Sequence, residues 1–449
     1  MKDVIRIGNG QGFWGDSIDA PVNLVKGGPL DYLTLDYLAE VTLSIMQRQK
    51  LKNPNAGFAR DFIDLIRRIL PEMHHNGLKV ITNAGGANPQ ACREELQKLS
   101  GNSKKKIKIG VIQGDDIYPN LQELMDKGVS FDNMDTGKSF DVIKDQVYSA
   151  NVYINSFTIS EALEKGAQIV LAGRVSDPGL ALGPCVYEYG WKHDEYDRIA
   201  AGTLSGHITE CGAQCTGGNY SNWQDVPDMA NLGYPIIEMQ KDGKFTITKH
   251  KGTGGLVNRE SVSEQILYEI GNPRLYISPD VCVDFTSFNL EDMGNDHVEI
   301  EGVKGSRPTD TYKVSISYFA GYKASGQLTI SGPNAYEKAK LTAEIIWKRL
   351  KYAGVEFEDT STEYLGLSSC HGEINTKPKQ LNEVVLRLSA KDHNKAKVNR
   401  FGMEIAPVIT SGPPGITGFS GGRPKTQEII AYWPALIPKE MVHTTVDVI

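Results

Sequence analysis

The sequence predicts an α/β protein, with a doubly wound, mostly parallel sheet followed by a second lobe of α+β type. Before residue 180, short apolar runs end four times in polar, glycine-containing loops, and helical patterns follow these loops. After about residue 225 the pattern changes to short strand-like runs around a hairpin-like turn at 241–244. We therefore expect an N-terminal α/β domain over residues 1–225 that carries a glycine-loop site. Residues 226–449 form the second α+β lobe, including a C-terminal glycine- and proline-rich loop.

The elements of the first domain are assigned from apolar periodicity and from the loops that bound each run. The expected strands are 4–7, 78–82, 107–112 and 168–172. The expected helices are 32–47, 58–74, 90–99 and a further one after Pro178. A glycine-rich loop, 8–16, follows the first strand.

The second lobe is assigned in the same way. Its expected strands are 234–239, 244–248, 311–318, 326–330 and 383–389. Its expected helices are 261–270 and 335–352, and the tract 410–423 is expected to be an ordered loop.

Charge and hydropathy exclude several classes of protein. The chain has 449 residues and a formal net charge of -7, and its basic runs are short, which argues against a nucleic-acid surface. No window reaches the roughly 18–20 apolar residues of a membrane span, and the N-terminus lacks the apolar core of a signal peptide. We expect a cytoplasmic protein that binds neither nucleic acid nor a membrane. A homo-oligomer is expected from the size class, and a second subunit remains open.

The stretch 201–218 is the strongest candidate for a site. It places His207, Glu210, Cys211, Gln214 and Cys215 among five glycines. Because glycine and buried polar groups both destabilise a packed helix, we interpret the stretch as a functional loop.

Cysteine spacing gives a weaker alternative for the same stretch. Cys211 and Cys215, with His207, would supply only three zinc ligands, so no metal site is predicted, although a divalent metal is not excluded. The other cysteines are interpreted as small core residues: Cys92, Cys185, Cys282 and Cys370.

Polar residues at the ends of the predicted parallel strands form a second group of candidates, because ligands bind beyond the carboxyl ends of such strands. They are Asp16, Asn83, Asn88, Asp115, Asp116, Arg174 and Asp177. Asp16 is equally compatible with an N-cap of the next helix. The loop around it lacks the G-x-G-x-x-G fingerprint and contains Trp14, so we do not expect NAD. A further glycine loop, with Lys249, Lys251, Gly254 and Gly255, suits an anion.

Several ordered motifs resemble the acyclic terpene utilisation protein A family. They are Phe13-Trp-Gly-Asp16, Asp31-Tyr-Leu-x-x-Asp-Tyr-Leu-Ala-Glu40, Asn83-Ala-Gly-Gly86, Gly173-Arg-Val-x-Asp177, Gly206-His-x-x-Glu-Cys-Gly-Ala-Gln214 and Lys249-x-x-Gly-Thr-Gly-Gly255. The resemblance runs from the N-terminus to about residue 440. It implies a catabolic lyase that splits acetate from a branched 3-hydroxy acyl-CoA such as 3-hydroxy-3-isohexenylglutaryl-CoA.

A retro-aldol cleavage of this kind needs a base, a carboxylate anchor and a donor for the enolate. Under the resemblance, His207 or Glu210 is the base, Cys211 is a proton donor or acyl carrier, and Asp16 completes the catalytic set. The expected substrate-binding residues are Asn83, Gly85, Gly86, Asp115, Arg174, Asp177, Gln214, Lys249, Gly254 and Gly255.

No cofactor is expected, and CoA enters only as part of a substrate. Two alternatives stay open. One is a hydro-lyase acting on a small carboxylic acid, and the other is a non-catalytic ligand-binding subunit of a larger enzyme.

Overall fold

The computed structural model describes residues 2–39, 41–100, 106–372, 381–418 and 421–449. The chain divides into two compact units, one of Met1–Ser317 with Tyr432–Ile449 and the other of Tyr318–Ala431. Residue 225, the expected domain boundary, lies inside the first unit, because strands on both sides of it join one sheet. Glu40, the last residue of one motif above, lies outside the described residues, as do positions 419 and 420 of the 410–423 tract.

The strands of the described residues are β1 Val4–Gln11, β2 Tyr32–Leu35, β3 Lys79–Thr82, β4 Ile109–Gln113, β5 Val147–Val152, β6 Ile169–Leu171, β7 Ile236–Gln240, β8 Phe245–Thr248, β9 Tyr276–Ile277, β10 Cys282–Asp284, β11 Asn289–Gly294, β12 His297–Glu301, β13 Lys304–Ser306, β14 Thr311–Ser331, β15 Asp359–Leu365, β16 Glu383–Asp392, β17 Ile416–Gly418, β18 Gln427–Pro438 and β19 Thr445–Val448. The helices of the same residues are α1 Ala20–Gly27, α2 Thr42–Lys52, α3 Arg60–Asn76, α4 Pro89–Ser100, α5 Leu121–Asp126, α6 Phe157–Glu164, α7 Gly179–Tyr189, α8 Tyr196–Thr209, α9 Arg259–Leu267, α10 Ala335–Tyr352, α11 Lys395–Glu404 and α12 Val408–Ser411.

The large sheet of the first unit has the order β11-β12-β8-β7-β1-β2-β3-β6-β4-β19. Its five central strands, β1, β2, β3, β6 and β4, pair in parallel. The pairings outside them are antiparallel. The α/β class is confirmed, but the sheet is mixed rather than mostly parallel, because the strands after residue 225 extend it at the β1 edge and the C-terminal strand extends it at the β4 edge.

The central strands are buried over most of their length, and their apolar residues form one core with the helices around them. In β2 all four residues are buried, and α3 presents Phe62, Ile66 and Ile69, each 0% exposed, to the same cluster. Parallel strands end at one edge of the sheet, so the loops after β1, β2, β3 and β6 are brought together there.

Two local predictions in this unit are corrected. Residues 32–47, predicted to be one helix, divide into strand β2 and helix α2. Apolar periodicity does not distinguish a fully buried strand from a buried helix segment, which explains the error. The predicted loop 8–16 is strand up to Gln11, and a Cβ at Gly10 would lie 2.6 Å from Cβ of Pro21. Glycine there lets α1 approach the strand.

The predicted functional loop 201–218 is also corrected in its first half. Residues 201–209 belong to helix α8 and are all buried. A Cβ at Gly206 would lie 2.4 Å from the Pro178 carbonyl oxygen, so glycine permits a close approach between the helix and the start of α7. Gly206 therefore serves packing rather than loop conformation.

The second unit is built on an antiparallel sheet in which β16 lies between β14 and β15, and β17 pairs with β14 on its other side. The predicted strands 311–318 and 326–330 are parts of the single strand β14. Helices α10 and α11 cover this sheet through a core that includes Ile346, Leu386 and Phe401. Of the cysteines interpreted as core residues, Cys370 is exposed, which corrects that assignment, and the other three are buried.

Candidate active site

A cavity of about 410 Å³ lies where the loops after β1, β2 and β6 meet the C-terminal end of α8. This is within the range of about 300–1,000 Å³ that small-molecule sites occupy. We call it the acidic cavity. Its lining residues are Gly12, Phe13, Asp16, Asp36, Leu38, Ala39, Arg174, Asp177, Glu210, Cys211, Ala213, Gln214, Gly218, Asn219, Tyr234, Tyr268 and Glu269. The predicted residues that meet here are Asp16, Arg174, Asp177, Glu210, Cys211 and Gln214.

Asp16 is fixed on both carboxylate oxygens. The Tyr234 hydroxyl donates to Oδ1 at 2.7 Å, and the Gly12 amide donates to Oδ2 at 3.1 Å. The N-cap of α1 is Asp19, so the alternative interpretation of Asp16 as that cap is wrong. Asp16 instead forms one wall of the cavity, held in place by a tyrosine that the sequence analysis did not select.

Arg174 supplies the positive charge of the acidic cavity. Its side chain is 2% exposed, with Nη1 2.8 Å from Asp177 Oδ1 and 2.8 Å from the Leu38 carbonyl oxygen, to which it donates. The guanidinium carbon lies 4.2 Å from the centroid of the Tyr153 ring. A guanidinium held by an ion pair, a carbonyl and an aromatic face has a fixed orientation toward the cavity.

Asp36, which the sequence analysis missed, lies beside this arginine. Asn83 Nδ2 donates to Asp36 Oδ1 at 2.7 Å, and the Leu38 amide donates to the same oxygen at 2.9 Å. Burial raises the pKa of the Asp36 carboxyl, Asp177 raises it further, and Arg174 offsets part of the rise. Asn83 is 0% exposed and therefore acts as a positioning residue for Asp36.

Glu210 and His207 form a pair at the end of α8. Because they are three positions apart on the helical path, they face the same side, and His207 Nδ1 lies 3.2 Å from Glu210 Oε1. His207 Nε2 lies 3.3 Å from the Ile266 carbonyl oxygen, and its ring is 5.3 Å from that of Tyr276. Glu210 lines the cavity, whereas His207 is 1% exposed and stands behind it.

The protonation of this pair is set by burial and by mutual attraction. Burial raises the pKa of the Glu210 carboxyl, His207 lowers it in part, and Asp177 and Glu269 raise it again. Burial alone would lower the pKa of His207, but the Glu210 carboxylate, the Ile266 carbonyl and Glu269 together outweigh burial, and the net shift of the pKa is upward. Such shifts are typical of groups that exchange protons near neutral pH.

Two cysteines follow Glu210 and differ in access. Cys211 lines the cavity, and burial, aided by Glu210, raises the pKa of its thiol to about 12. Cys215 is 0% exposed, and its Sγ lies 3.9 Å from the Gly212 carbonyl oxygen. Within the described part of the chain, no three His, Cys, Asp or Glu residues form a group that could hold a metal ion.

Glu269 is a further residue that the sequence analysis missed. It follows α9 with a left-handed backbone, φ 55°, which is costly for a residue with a side chain. Tyr268 beside it has its pKa raised to about 12 by burial and by its hydrogen bond with Glu269. No motif marks these two residues in the sequence, because they reach the cavity only through the packing of α9 against α8.

The remaining predicted residues lie elsewhere. Asp115 accepts hydrogen bonds from the Arg174 amide at 2.8 Å and from Asn151, and with Gly86, Asn88 and Asp116 it lines a separate cavity of about 250 Å³. Gly85 packs near Pro89 at the start of α4.

The predicted anion-binding loop is occupied internally. Lys249 Nζ is 2.9 Å from Asp296 Oδ2, and the amides of Gly254 and Gly255 donate to Asn231 and Pro227 carbonyls. As far as the described residues define it, Lys249 and these glycines do not line the acidic cavity.

The lining of the acidic cavity carries five carboxyl groups and one guanidinium among the described residues. The carboxyl groups belong to Asp16, Asp36, Asp177, Glu210 and Glu269. The upward pKa shift of Asp36 favours the neutral form of that carboxyl, which lowers the repulsion that the cavity exerts on an anionic ligand.

The fold and site define a mixed α/β protein with an acidic, arginine-containing cavity at the ends of its central parallel strands. The chain belongs to the acyclic terpene utilisation family: the model of the acyclic terpene utilisation family protein AtuA matches residues 5–448. The resemblance found in the motifs is thereby confirmed. No curated protein and no solved structure matches the chain. Of the helices in the described residues, none combines the length and the apolar character needed to cross a membrane.

Proposed function

We propose that the protein is a lyase that cleaves a carbon–carbon bond in a branched 3-hydroxy acid or its CoA ester, by a retro-aldol step, during the breakdown of acyclic terpenes or branched acids. The observation that carries the proposal is Glu210, a cavity-lining carboxyl with a raised pKa, backed at 3.2 Å by buried His207. The family, named for acyclic terpene utilisation, supports the substrate class.

The base of the proposed reaction is ionised Glu210. It removes the proton from the 3-hydroxyl group, the C2–C3 bond breaks as the carbonyl forms at C3, and the electron pair becomes the enolate of the released acetyl fragment. His207 forms an ion pair with the carboxylate at 3.2 Å and fixes its orientation. Because His207 stands behind Glu210, we assign it as a positioning residue.

The anion of the substrate is bound by Arg174, whose fork geometry suits a carboxylate or thioester oxygen. Asp36, with a raised pKa, is proposed to be protonated and to donate a hydrogen bond to the developing enolate oxygen. The Cys211 thiol, whose pKa of about 12 keeps it protonated, supplies a proton to the enolate carbon. Glu210 then releases to solvent the proton that it took from the substrate, and the Cys211 thiolate takes one from solvent, which restores both groups. A thiol with such a pKa is poorly suited to the alternative role of acyl carrier.

The test is turnover by Glu210→Gln. Under the proposal this variant loses at least about 100-fold in kcat, the usual range for a positioned base, while its melting temperature stays close to that of the wild type. Glu94→Gln, an exposed change on α4, is the matched control and keeps full activity. An active Glu210→Gln protein would remove the base from the mechanism.

The products of the same assay separate the proposed lyase from the hydro-lyase alternative. A retro-aldol cleavage yields two carbon fragments, one of them acetate or acetyl-CoA, whereas a hydro-lyase yields one product lighter by a water. Mass spectrometry of the reaction mixture distinguishes them. Binding without turnover by the wild-type protein would support the non-catalytic subunit instead.

We further propose that the protein acts in the cytoplasm as a homo-oligomer. The location follows the expectation drawn from the sequence, and the size class supports the homo-oligomer. Light scattering of the purified protein measures its mass, and a monomer at micromolar concentration would contradict the oligomer.

A further inference from the structure

A third cavity, of about 400 Å³, adjoins the acidic cavity, and Asp177 and Glu269 line both. We call it the tyrosine cavity. Its walls include Met134, Tyr153, Tyr276, Ile277, Tyr312 and Leu436. Every one of its lining residues belongs to the first compact unit.

Three hydroxyl groups in the wall of the tyrosine cavity are used within the protein. The Ser278 hydroxyl donates to the Val281 carbonyl at 2.8 Å, and the Thr309 hydroxyl donates to the Thr311 carbonyl at 3.1 Å. The Tyr312 hydroxyl accepts from Asn155 Nδ2 at 2.7 Å. With these hydroxyls occupied, aromatic rings and aliphatic side chains form much of the wall, and the charged groups of the lining are Lys313, which lies over the Tyr153 ring, and the shared Asp177 and Glu269.

Three large apolar side chains of this cavity are open to solvent. Ile277 is 55% exposed, Met134 is 49% exposed and Leu436 is 44% exposed. Contiguous exposed apolar surface beside a polar site is typical of a ligand-binding groove. The exposure would be lost if a hydrocarbon chain filled the cavity.

The geometry points to the tyrosine cavity as the compartment for the hydrocarbon chain of the substrate whose polar head occupies the acidic cavity. This inference rests on the proposed function for the identity of the head. A ligand that reaches past Asp177 and Glu269 has its reacting carbons near Glu210 and Arg174 and its chain against the three tyrosines. Tyr276 also contacts His207, with ring centroids 5.3 Å apart, so the bound chain lies one residue from the proposed catalytic pair.

The test is a chain-length series measured by calorimetry on the full-length protein. The probes are 3-hydroxybutanoate, 3-hydroxyhexanoate, 3-hydroxyoctanoate and 3-hydroxydecanoate, with the linear primary alcohols of the same lengths as probes that lack the acid head. Each added methylene is expected to lower the dissociation constant about three- to fourfold until the cavity is filled, as transfer of a methylene from water predicts.

The variants are Ile277→Ser and Leu436→Ser, two half-exposed positions where substitution leaves the core intact. Each is expected to lower the affinity for 3-hydroxydecanoate at least about fivefold while leaving 3-hydroxybutanoate within about twofold. Leu51→Ser, a 74% exposed position on α2, is the matched control and leaves the whole series unchanged.

The comparison of the hydroxy acids with the alcohols separates failure of the proposed compartment from failure of the proposed reaction. If the alcohols bind with the chain-length gain but the hydroxy acids are not turned over, the compartment stands and the proposed reaction fails. If the hydroxy acids are turned over with affinities independent of chain length, the reaction stands and the compartment is wrong. A series in which neither probe class shows the gain, or in which both serine variants retain it, overturns the inference.

Discussion

At the scale of single residues, the site shows which positions a sequence reveals. Glu210 and Cys211 were found because polar groups crowd between glycines, and Arg174 and Asp177 because they follow a strand. Asp36 was missed although it also follows a strand, since that strand was predicted to be helix. The structure also distinguishes the two residues that the sequence offered as the base: Glu210 lines the cavity, whereas His207 is buried behind it.

The first prediction concerns pH and Asp36. Its pKa is raised in the folded protein, so the folded state holds a proton that the unfolded state releases. This stabilisation is complete below the unfolded pKa near 4 and is lost as the pH rises through the folded value. Asp36→Asn keeps an oxygen that accepts from Asn83 and removes the ionisation. The variant should therefore gain stability relative to the wild type as the pH rises, by more than about 1 kcal/mol between pH 5 and pH 8.

Urea unfolding at the two pH values measures this difference. Asp126→Asn, a change at an exposed position of the short helix α5, is the control and shows no such trend. Equal stability differences at pH 5 and pH 8 would show that Asp36 carries no raised pKa. Activity is a second readout, because an amide donor at this position should extend the activity of the proposed enzyme to higher pH.

At the scale of elements, secondary structure is predicted most reliably from the sequence where a helix is amphipathic. Helix α10 runs over the predicted residues, 335–352, because it buries one apolar face of regular period. Strand β2 was missed because all four of its residues are buried, and helix α8 was missed because it is buried from Ile199 to Thr209. An element without a polar face has no periodicity to detect.

The second prediction concerns helix α8 and Gly206. In an ordinary helix, glycine to alanine stabilises by about 1 kcal/mol. At Gly206 the new Cβ would lie 2.4 Å from the Pro178 carbonyl oxygen, which is backbone and has little freedom to move. Gly206→Ala should therefore destabilise the protein by about 2 kcal/mol or more, within the range for overpacked cores. Thermal unfolding measures the change.

Gly271→Ala is the matched control, because nothing lies within 4 Å of a Cβ at that position. It should leave the melting temperature unchanged or slightly raised. A Gly206→Ala protein as stable as the wild type would mean that α8 and the start of α7 separate easily, and the close approach would then have no part in placing His207 and Glu210.

At the scale of the whole molecule, the site depends on strand order, which the sequence does not show. Strand β6 lies between β3 and β4 in the sheet although it follows both in the chain. Local patterns predict strands, but pairing is decided by contacts between distant segments. Both the mixed sheet and the proximity of Asp36 to Asp177 follow from that order.

The last prediction uses the division into two compact units. The acidic cavity is lined by residues of the first unit alone, among the residues that the structure describes. Phe62 of the first unit and Phe401 of the second are both 0% exposed, and alanine at either should cost about 3–5 kcal/mol. Phe62 contacts Tyr37, the residue after Asp36, with ring centroids 6.1 Å apart.

Phe62→Ala should therefore weaken binding of 3-hydroxyoctanoate severalfold at 20 °C. Phe401→Ala, which loses its stacking on Trp347, should leave the dissociation constant of the same ligand within about twofold of the wild-type value. Calorimetric titration of the two variants gives the comparison directly. Equal weakening by both would show that the integrity of the second unit controls the cavity, and the site would then have to be assigned to the whole chain rather than to the first unit.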